Sequence, residues 1–112
     1  MNILSELKEI LSILDIPMET GVFSSTSPNE YIVLTPMTDN FDYFADNLPQ
    51  FEISEVRISF FTKSNYIERK NQITELLLQY DFNITGRWYI GHEDDTGYHH
   101  YAIDVEKNYK FN

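Results

Sequence analysis

Cysteine is absent from the 112 residues, which excludes a disulfide framework, a thiolate metal site and a cysteine nucleophile, and fits a reducing compartment. Glycine is scarce as well. Gly21, Gly86, Gly91 and Gly97 stand far apart, so no glycine-rich loop cradles a phosphate, and no G-x-S-x-G elbow presents a serine nucleophile. Basic residues are few: eight Lys and Arg against eighteen Asp and Glu leave a formal charge of −10. A surface field of that sign repels nucleic-acid phosphates and anionic headgroups, so neither specific nucleic-acid binding nor a membrane surface is expected. No stretch approaches the ~18 consecutive apolar residues of a membrane span. The opening MNILSELKEILSILDIP interrupts its apolar residues with Glu6, Lys8, Glu9 and Asp15, unlike a secretory signal peptide. A soluble protein is the expectation.

Apolar and aromatic residues, by contrast, are plentiful. Hydrophobic types make up 42%, with eight Tyr, eight Phe and one Trp, ample for one core and too much for a disordered chain. A chain of this length buries roughly two-thirds of its unfolded surface, so residues 1–112 are expected to form a single domain.

Ile3, Leu4, Leu7, Ile10, Leu11 and Leu14 recur on one helical face, predicting an amphipathic helix over 2–15 that Pro17 ends by forcing Ile16 towards extended geometry. METGVFS reads as a short strand. EYIVLT, 30–35, is a strand interrupted by Pro36. EVRISFFT, 55–62, alternates Val56, Ile58 and Phe60 against Arg57 and Ser59, the period of a half-buried strand. Asn65 and Glu68 then stand at capping-box spacing, opening a helix over about 66–80 whose buried face is Ile73, Leu76, Leu77 and Tyr80. FNITGRWYIGHE and YHHYAIDVE alternate on either side of DDTG, a hairpin signal. The order of elements predicts an α+β fold, a mainly antiparallel sheet of about four to five strands with two helices packed on one face.

All three histidines lie in GHEDDTGYHH, 91–100, beside Glu93, Asp94 and Asp95. Aligning the apolar alternations of the hairpin puts Trp88 opposite Ile103, Ile90 opposite Tyr101 and His92 opposite His99, with Asp94 to Gly97 as the loop and Gly97 free to take positive φ. His100 then points to the other face. A catalytic zinc needs three protein ligands converging at about 2 Å. Here two imidazoles and Asp94 are on offer, with no HExxH spacing to hold them, so the expectation is no metal, no cofactor and no catalytic residue, with a metal-dependent hydrolase at His92/His99 as an alternative. The sequon Asn83-Ile84-Thr85 falls in a predicted strand and is read as chance.

TPMTDNFDYFADNLPQFEIS, 35–54, sets Phe41, Tyr43, Phe44 and Phe51 among Asp39, Asp42, Asp46 and Glu52. It is long for a turn, and a loop of that length inside a compact domain usually serves a function or holds structure of its own. A protruding loop over about 36–54 is expected. Two readings stand open and do not exclude each other: a strand extension whose aromatics fold back on the core, and aromatics that anchor a neighbouring subunit.

YIVLT, FADN at 44–47, VRISFFTKSN at 56–65 leading into a helix, and EDDTGYHHYAID at 93–104, with the leading amphipathic helix, together span most of the chain. In order and spacing they resemble the tail-terminator or tail-completion (tail-to-head joining) proteins of long-tailed bacteriophages and prophages. The likeness is one of pattern, not of chemistry. It implies a small α+β fold and a structural, noncatalytic role: a ring, commonly of six subunits, that caps the tail tube and offers a docking surface to head-connector proteins. It further implies location in the virion tail, after assembly in the cytoplasm of the bacterial host. The insertion between the early strands contributes to subunit contacts in that family, which makes Phe41, Tyr43, Phe44, Asp46, Asn47 and Phe51 the candidate interface. A different class of reading is a monomeric prophage accessory protein that binds a protein partner through its acidic surface. Six copies at −10 would carry about −60 before screening, either towards a channel that DNA traverses or away from one lined by Lys63, Arg69 and Lys70.

Overall fold

The computed structural model describes residues 2–21, 28–45 and 48–110; the side chains of 42–45 and 49–50 are not described. Helix α1 spans Ile3–Leu11 and continues as a 3₁₀ turn over Ser12–Leu14, followed by strand β1, Met18–Thr20. Strands β2, Glu30–Ala45, and β3, Leu48–Thr62, form a long antiparallel hairpin. Helix α2, Tyr66–Gln79, then leads to β4, Asn83–His92, and β5, His99–Lys110. The sheet order is β1-β2-β3-β5-β4, with only the β1–β2 pair parallel. This is an α+β fold with a mixed, mostly antiparallel five-stranded sheet and two helices packed against it.

β5 runs antiparallel to both β3 and β4, so β3 and β4 are parallel and α2 crosses over the strand inserted between them. Parallel strands require such a crossover. The helix-side face of the central strands carries Val56, Ile58 and Phe60 on β3 and Tyr101, Ile103 and Val105 on β5, and these meet Leu7 and Leu11 of α1 and Ile73 and Leu77 of α2 in one buried cluster. Ile32 and Leu34 extend it onto β2. α1 is further fixed by Glu6, whose carboxylate accepts from Lys107 Nζ at 2.6 Å and from the Tyr109 hydroxyl at 2.7 Å. Burial and this carboxylate push the Tyr109 phenol well above its ordinary range.

α1 starts on a capping box in which the Asn2 side chain accepts from Ser5 N–H while the Ser5 hydroxyl faces the Asn2 backbone. Its α-helical part ends at Leu11, earlier than the apolar periodicity predicts, because the chain tightens through Ser12–Leu14 to Asp15 at φ +56°. The α2 start agrees with its sequence signal: Asn65 Oδ1 accepts from the Ile67 and Glu68 amides. On the buried face Ile73 and Leu77 are as expected, whereas Tyr80 is 39% exposed, since it caps the helix instead of continuing it.

Pro36 does not end β2. Ile32 donates to the Pro17 carbonyl and the Leu34 carbonyl accepts from Gly21, both on the outer edge. Pro36 continues that phase, so its nitrogen, lacking a proton, faces the edge that three-residue β1 leaves uncovered, and no bond to β3 is lost. A bulge at Met37 follows and pairing resumes to Ala45–Leu48. Residues 36–45 and 48–54, expected to form a loop, are therefore strand: β5 accompanies β3 as far as Phe51, beyond which β2 and β3 pair alone as a protruding arm, and the molecule measures 55 × 26 × 23 Å.

The β4–β5 hairpin corrects a second expectation. His92 does lie opposite His99, but bulges between Ile84 and Gly86 and between Tyr89 and Gly91 shift the inner pairs, so Trp88 faces Ala102 and Tyr89 faces Tyr101. A one-residue shift exchanges the faces. Trp88 thus leaves the core for the helix-free side, where its ring covers Gly86 closely enough that a Cβ there would meet it at 2.5 Å. Ile90 sits in a bulge, 48% exposed. Phe82 and Ile84 keep their expected places in or against the core.

α2 ends with the Phe82 amide donating to the Leu77 carbonyl and the Asp81 amide to the Leu78 carbonyl, with Asp81 at φ +64°. That is a Schellman motif with a β-carbon at the left-handed position, where glycine is the relaxed residue. Asp81→Gly is expected to raise unfolding free energy by about 0.5–1 kcal/mol, read as a shift in urea midpoint at constant slope; an unchanged or lowered midpoint contradicts this reading of the cap.

Candidate interaction site

The arm carries the residues singled out from sequence. Beyond the Phe51–Lys110 pair, where β5 ends, it consists of β2 and β3 alone. Phe41 lies opposite Glu52 and is 50% exposed; Leu48 is 65% and Phe51 37% exposed. The segment is a strand extension, as one of the two readings has it, and Phe41 and Phe51 are partly exposed on it. Tyr43 and Phe44 lie in β2, with Phe44 opposite Pro49, but their side chains are outside the described residues, as are Asp46 and Asn47 altogether. Between the arm's base and the start of α1 lies an open depression of about 190 Å³, bordered by Asp39, Glu52 and Glu55. Carboxylates beside a helix N-terminus are electrostatically favoured.

At the opposite edge of the sheet the two helix-side histidines do meet, with ring centroids 4.6 Å apart. Each Nδ1 is engaged: His92 with Asp94 Oδ1 at 3.1 Å, and His99 with the Tyr89 hydroxyl at 3.0 Å. Among the described residues no three His, Cys, Asp or Glu side chains are grouped so as to hold a metal ion. Tyr66, in the first turn of α2, instead packs its ring against Tyr89 and His99 at 4.9 and 5.1 Å. The histidines belong to an aromatic cluster at the α2–β4 groove. Lys70, one helical turn on, lies over the Tyr101 ring, and Arg87 Nη1 reaches the Thr74 hydroxyl at 3.3 Å. Of the other cations considered for a channel lining, Arg69 forks onto Glu30 and Lys63 lies over the Tyr98 ring.

Sequence reasoning missed the helix-free face of the sheet. Tyr31, Phe61 and His100, on three neighbouring strands, stack at 4.5 and 4.1 Å, and Tyr98 closes the row edge-on. The Tyr98 hydroxyl donates to the Pro28 carbonyl, tying the hairpin loop to the start of β2. Beside this row Arg57 donates to both Asp104 oxygens, at 2.8 and 3.1 Å, while its guanidinium lies over Trp88. The hydrogen-bonded carboxylate holds the guanidinium even more firmly protonated than usual. Alternation in β3 marked Arg57, Ser59 and Phe61 as the second face; the aromatic content of Tyr31, Phe61 and His100 was the available signal that this face is itself packed.

His100 is the one histidine on that face, and its Nε2 is buried with no hydrogen-bond partner among the described residues. Burial lowers its pKa below the ordinary imidazole value; Glu93 opposes this shift and Arg57 reinforces it.

No protein-family model matches the chain, and no curated protein is significantly similar to it in sequence.

Because the folded state disfavours the imidazolium of His100, the unfolded chain takes up its proton first. Stability from this residue is intact above about pH 6.5 and falls with pH from there to the lowered folded value, below which it levels off. His100→Phe is expected to remove that loss, at less than ~1.4 kcal/mol per pH unit, when denaturation midpoints of both proteins are followed through mildly acidic pH; parallel curves contradict it.

Proposed function

We propose that this chain is a noncatalytic bacteriophage or prophage tail-assembly component of the tail-terminator type, which caps the tail tube as a ring and mediates tail-to-head joining. The observation that carries the reading is the arm: β2 and β3 run on as a pair past Phe51–Lys110, where β5 leaves off, in a segment that holds four carboxylates and exposes Phe41 and Phe51 at its base and Leu48 further out. An isolated two-stranded ribbon is marginally stable in water, and exposed strand edges invite pairing with another chain. Such an element makes physical sense as something completed on assembly. The resemblance in order and spacing of motifs points the same way, and the α+β body supplies the small fold it implies.

On this reading the partners are further copies of the chain, up to a hexamer on the assembled tail, together with tail-tube and head-connector proteins. No cofactor, metal or specific nucleic-acid contact is called for. The chain acts in the virion tail after assembly in the bacterial cytoplasm. Asp39, Asp42, Asp46 and Glu52 give the arm four carboxylates and no cation, so its contacts are to aromatic, apolar or basic surfaces. Like charge keeps free copies from sticking to DNA.

The test is electron microscopy of tail tubes assembled from a major tail protein of a long-tailed phage, one from the same genome where the genome holds one, with and without the purified protein. Capped ends bearing a ring are expected. Phe41→Thr, a β-branched residue that keeps strand propensity and adds no charge opposite Glu52, is expected to leave the protein folded and to reduce capping by about tenfold or more. Tubes that remain open in the presence of the parent protein overturn the proposal, and a monomeric accessory role takes its place.

A further inference from the structure

We infer that the α2–β4 face receives the arm of a second copy of this chain, so that copies join head to tail. The inference rests on the ring reading for its role, but the contact itself is argued from the surface. Among the described residues β4 is the outermost strand, with its far edge unpaired. It presents Tyr89 and Ile90 at 41 and 48% exposure, with Tyr89 on the helix side against Tyr66 of α2. Exposed apolar residues on an open edge mark an interaction surface.

Charge decides what fits there. Arg57, Arg69 and Lys107 are held by Asp104, Glu30 and Glu6. Lys70 and Arg87, which flank the groove, are held by a ring and a hydroxyl and by no carboxylate among the described residues. His92 and His99 stand at its end, where Asp94 is the acid in contact. Residues 36–54 offer the complement, with four carboxylates, no Lys or Arg, and the exposed Met37, Phe41, Leu48 and Phe51. Acidic and aromatic meets basic and aromatic, and such complementarity fixes partner and register.

Topology makes the contact intermolecular. The arm grows from β2 and β3 while the groove borders β4, with β5 between β3 and β4. The arm therefore extends from one side of the sheet and the receiving groove lies on the other. Two different patches in contact give a heterologous interface, which propagates from copy to copy and closes into a ring when the rotation permits.

Because the chain has no cysteine, single cysteines report this contact cleanly. Phe41→Cys and Tyr89→Cys variants, mixed at the highest soluble concentration with a short bis-maleimide, are expected to give the 41–89 adduct. The double variant is expected to give a ladder of dimer, trimer and higher species. Lys70→Glu combined with Arg87→Glu is expected to lower the adduct yield by about tenfold or more, and added salt to lower it further. Absence of the 41–89 adduct overturns the inference, as does an adduct formed equally well by Lys8→Cys on α1, or a predominance of 41–41 adducts. Tube capping by a parent protein that gives no 41–89 adduct would remove this contact and leave the function standing; the adduct without capping would do the reverse.

Discussion

Everything in this molecule hangs on the pairing of β3 with β5. It brings together residues half a chain apart, Val56 with Val105, Ile58 with Ile103 and Phe60 with Tyr101, and it determines which face of the sheet both helices cover. Once these two strands are in register, α2 must cross over β5 to reach β4, and its Ile73 and Leu77 descend onto the apolar row. α1 closes the other half of that row and is pinned to the far end of β5 through Glu6, Lys107 and Tyr109. The same register places Arg57 opposite Asp104 and Phe61 opposite His100 on the reverse face. A bidentate ion pair and an aromatic stack therefore lock the pairing from the side without helices. A directional, hydrogen-bonded device on one face and a nondirectional apolar one on the other resist different slips, because a one-residue shift would ruin both.

The arm is a consequence of strands that outrun their cover. β1 shields only Ile32 to Leu34 of β2, and β5 accompanies β3 only to Phe51. From Thr35 to Phe41 every residue is exposed. What holds the strands together there is cross-strand pairing, without a helix above. The sequence carries the signs of an edge meant to stay soluble and selective: carboxylates at short intervals, a proline whose nitrogen faces outward, and a bulge at Met37 that breaks the regular edge. The opposite edge uses bulges in β4 and Arg87 for the same purpose, while leaving its aromatic residues accessible. The proposed function draws on this contrast between a well-packed body and two partly protected edges.

Periodicity made the body legible. α1, α2 and β3 were readable from their apolar spacing, and the capping role of Asn65 from the residue type three positions ahead of Glu68. Three things were not. The arm read as a loop because Pro36 and a run of Asp and Asn are turn-formers, and only the phase of hydrogen bonding to β1 explains why proline is harmless there. The faces of Trp88 and Ile90 were misassigned because bulges leave the alternation of Arg87, Trp88, Tyr89 and Ile90 looking continuous. The exposure of Tyr80 was not read, because an aspartate occupies the place where a glycine usually signals the stop and the periodicity carries Tyr80 onto the buried face. For the candidate site, the pairing of His92 with His99 and the outward turn of His100 were legible. Their absorption into an aromatic cluster with Tyr66 and Tyr89 depends on a helix that packs on the sheet from elsewhere in the sequence.

The central claim is that a body built on β3 and β5 stands by itself while the arm is held only locally and is free to serve assembly. Native-state amide hydrogen exchange on the isolated protein tests this most directly. The account predicts that amides of Ile58, Ile103 and their paired neighbours exchange only through global unfolding, while those of Thr38 to Phe41 open locally and exchange orders of magnitude faster. Uniform protection running from the core strands out along the arm would contradict it.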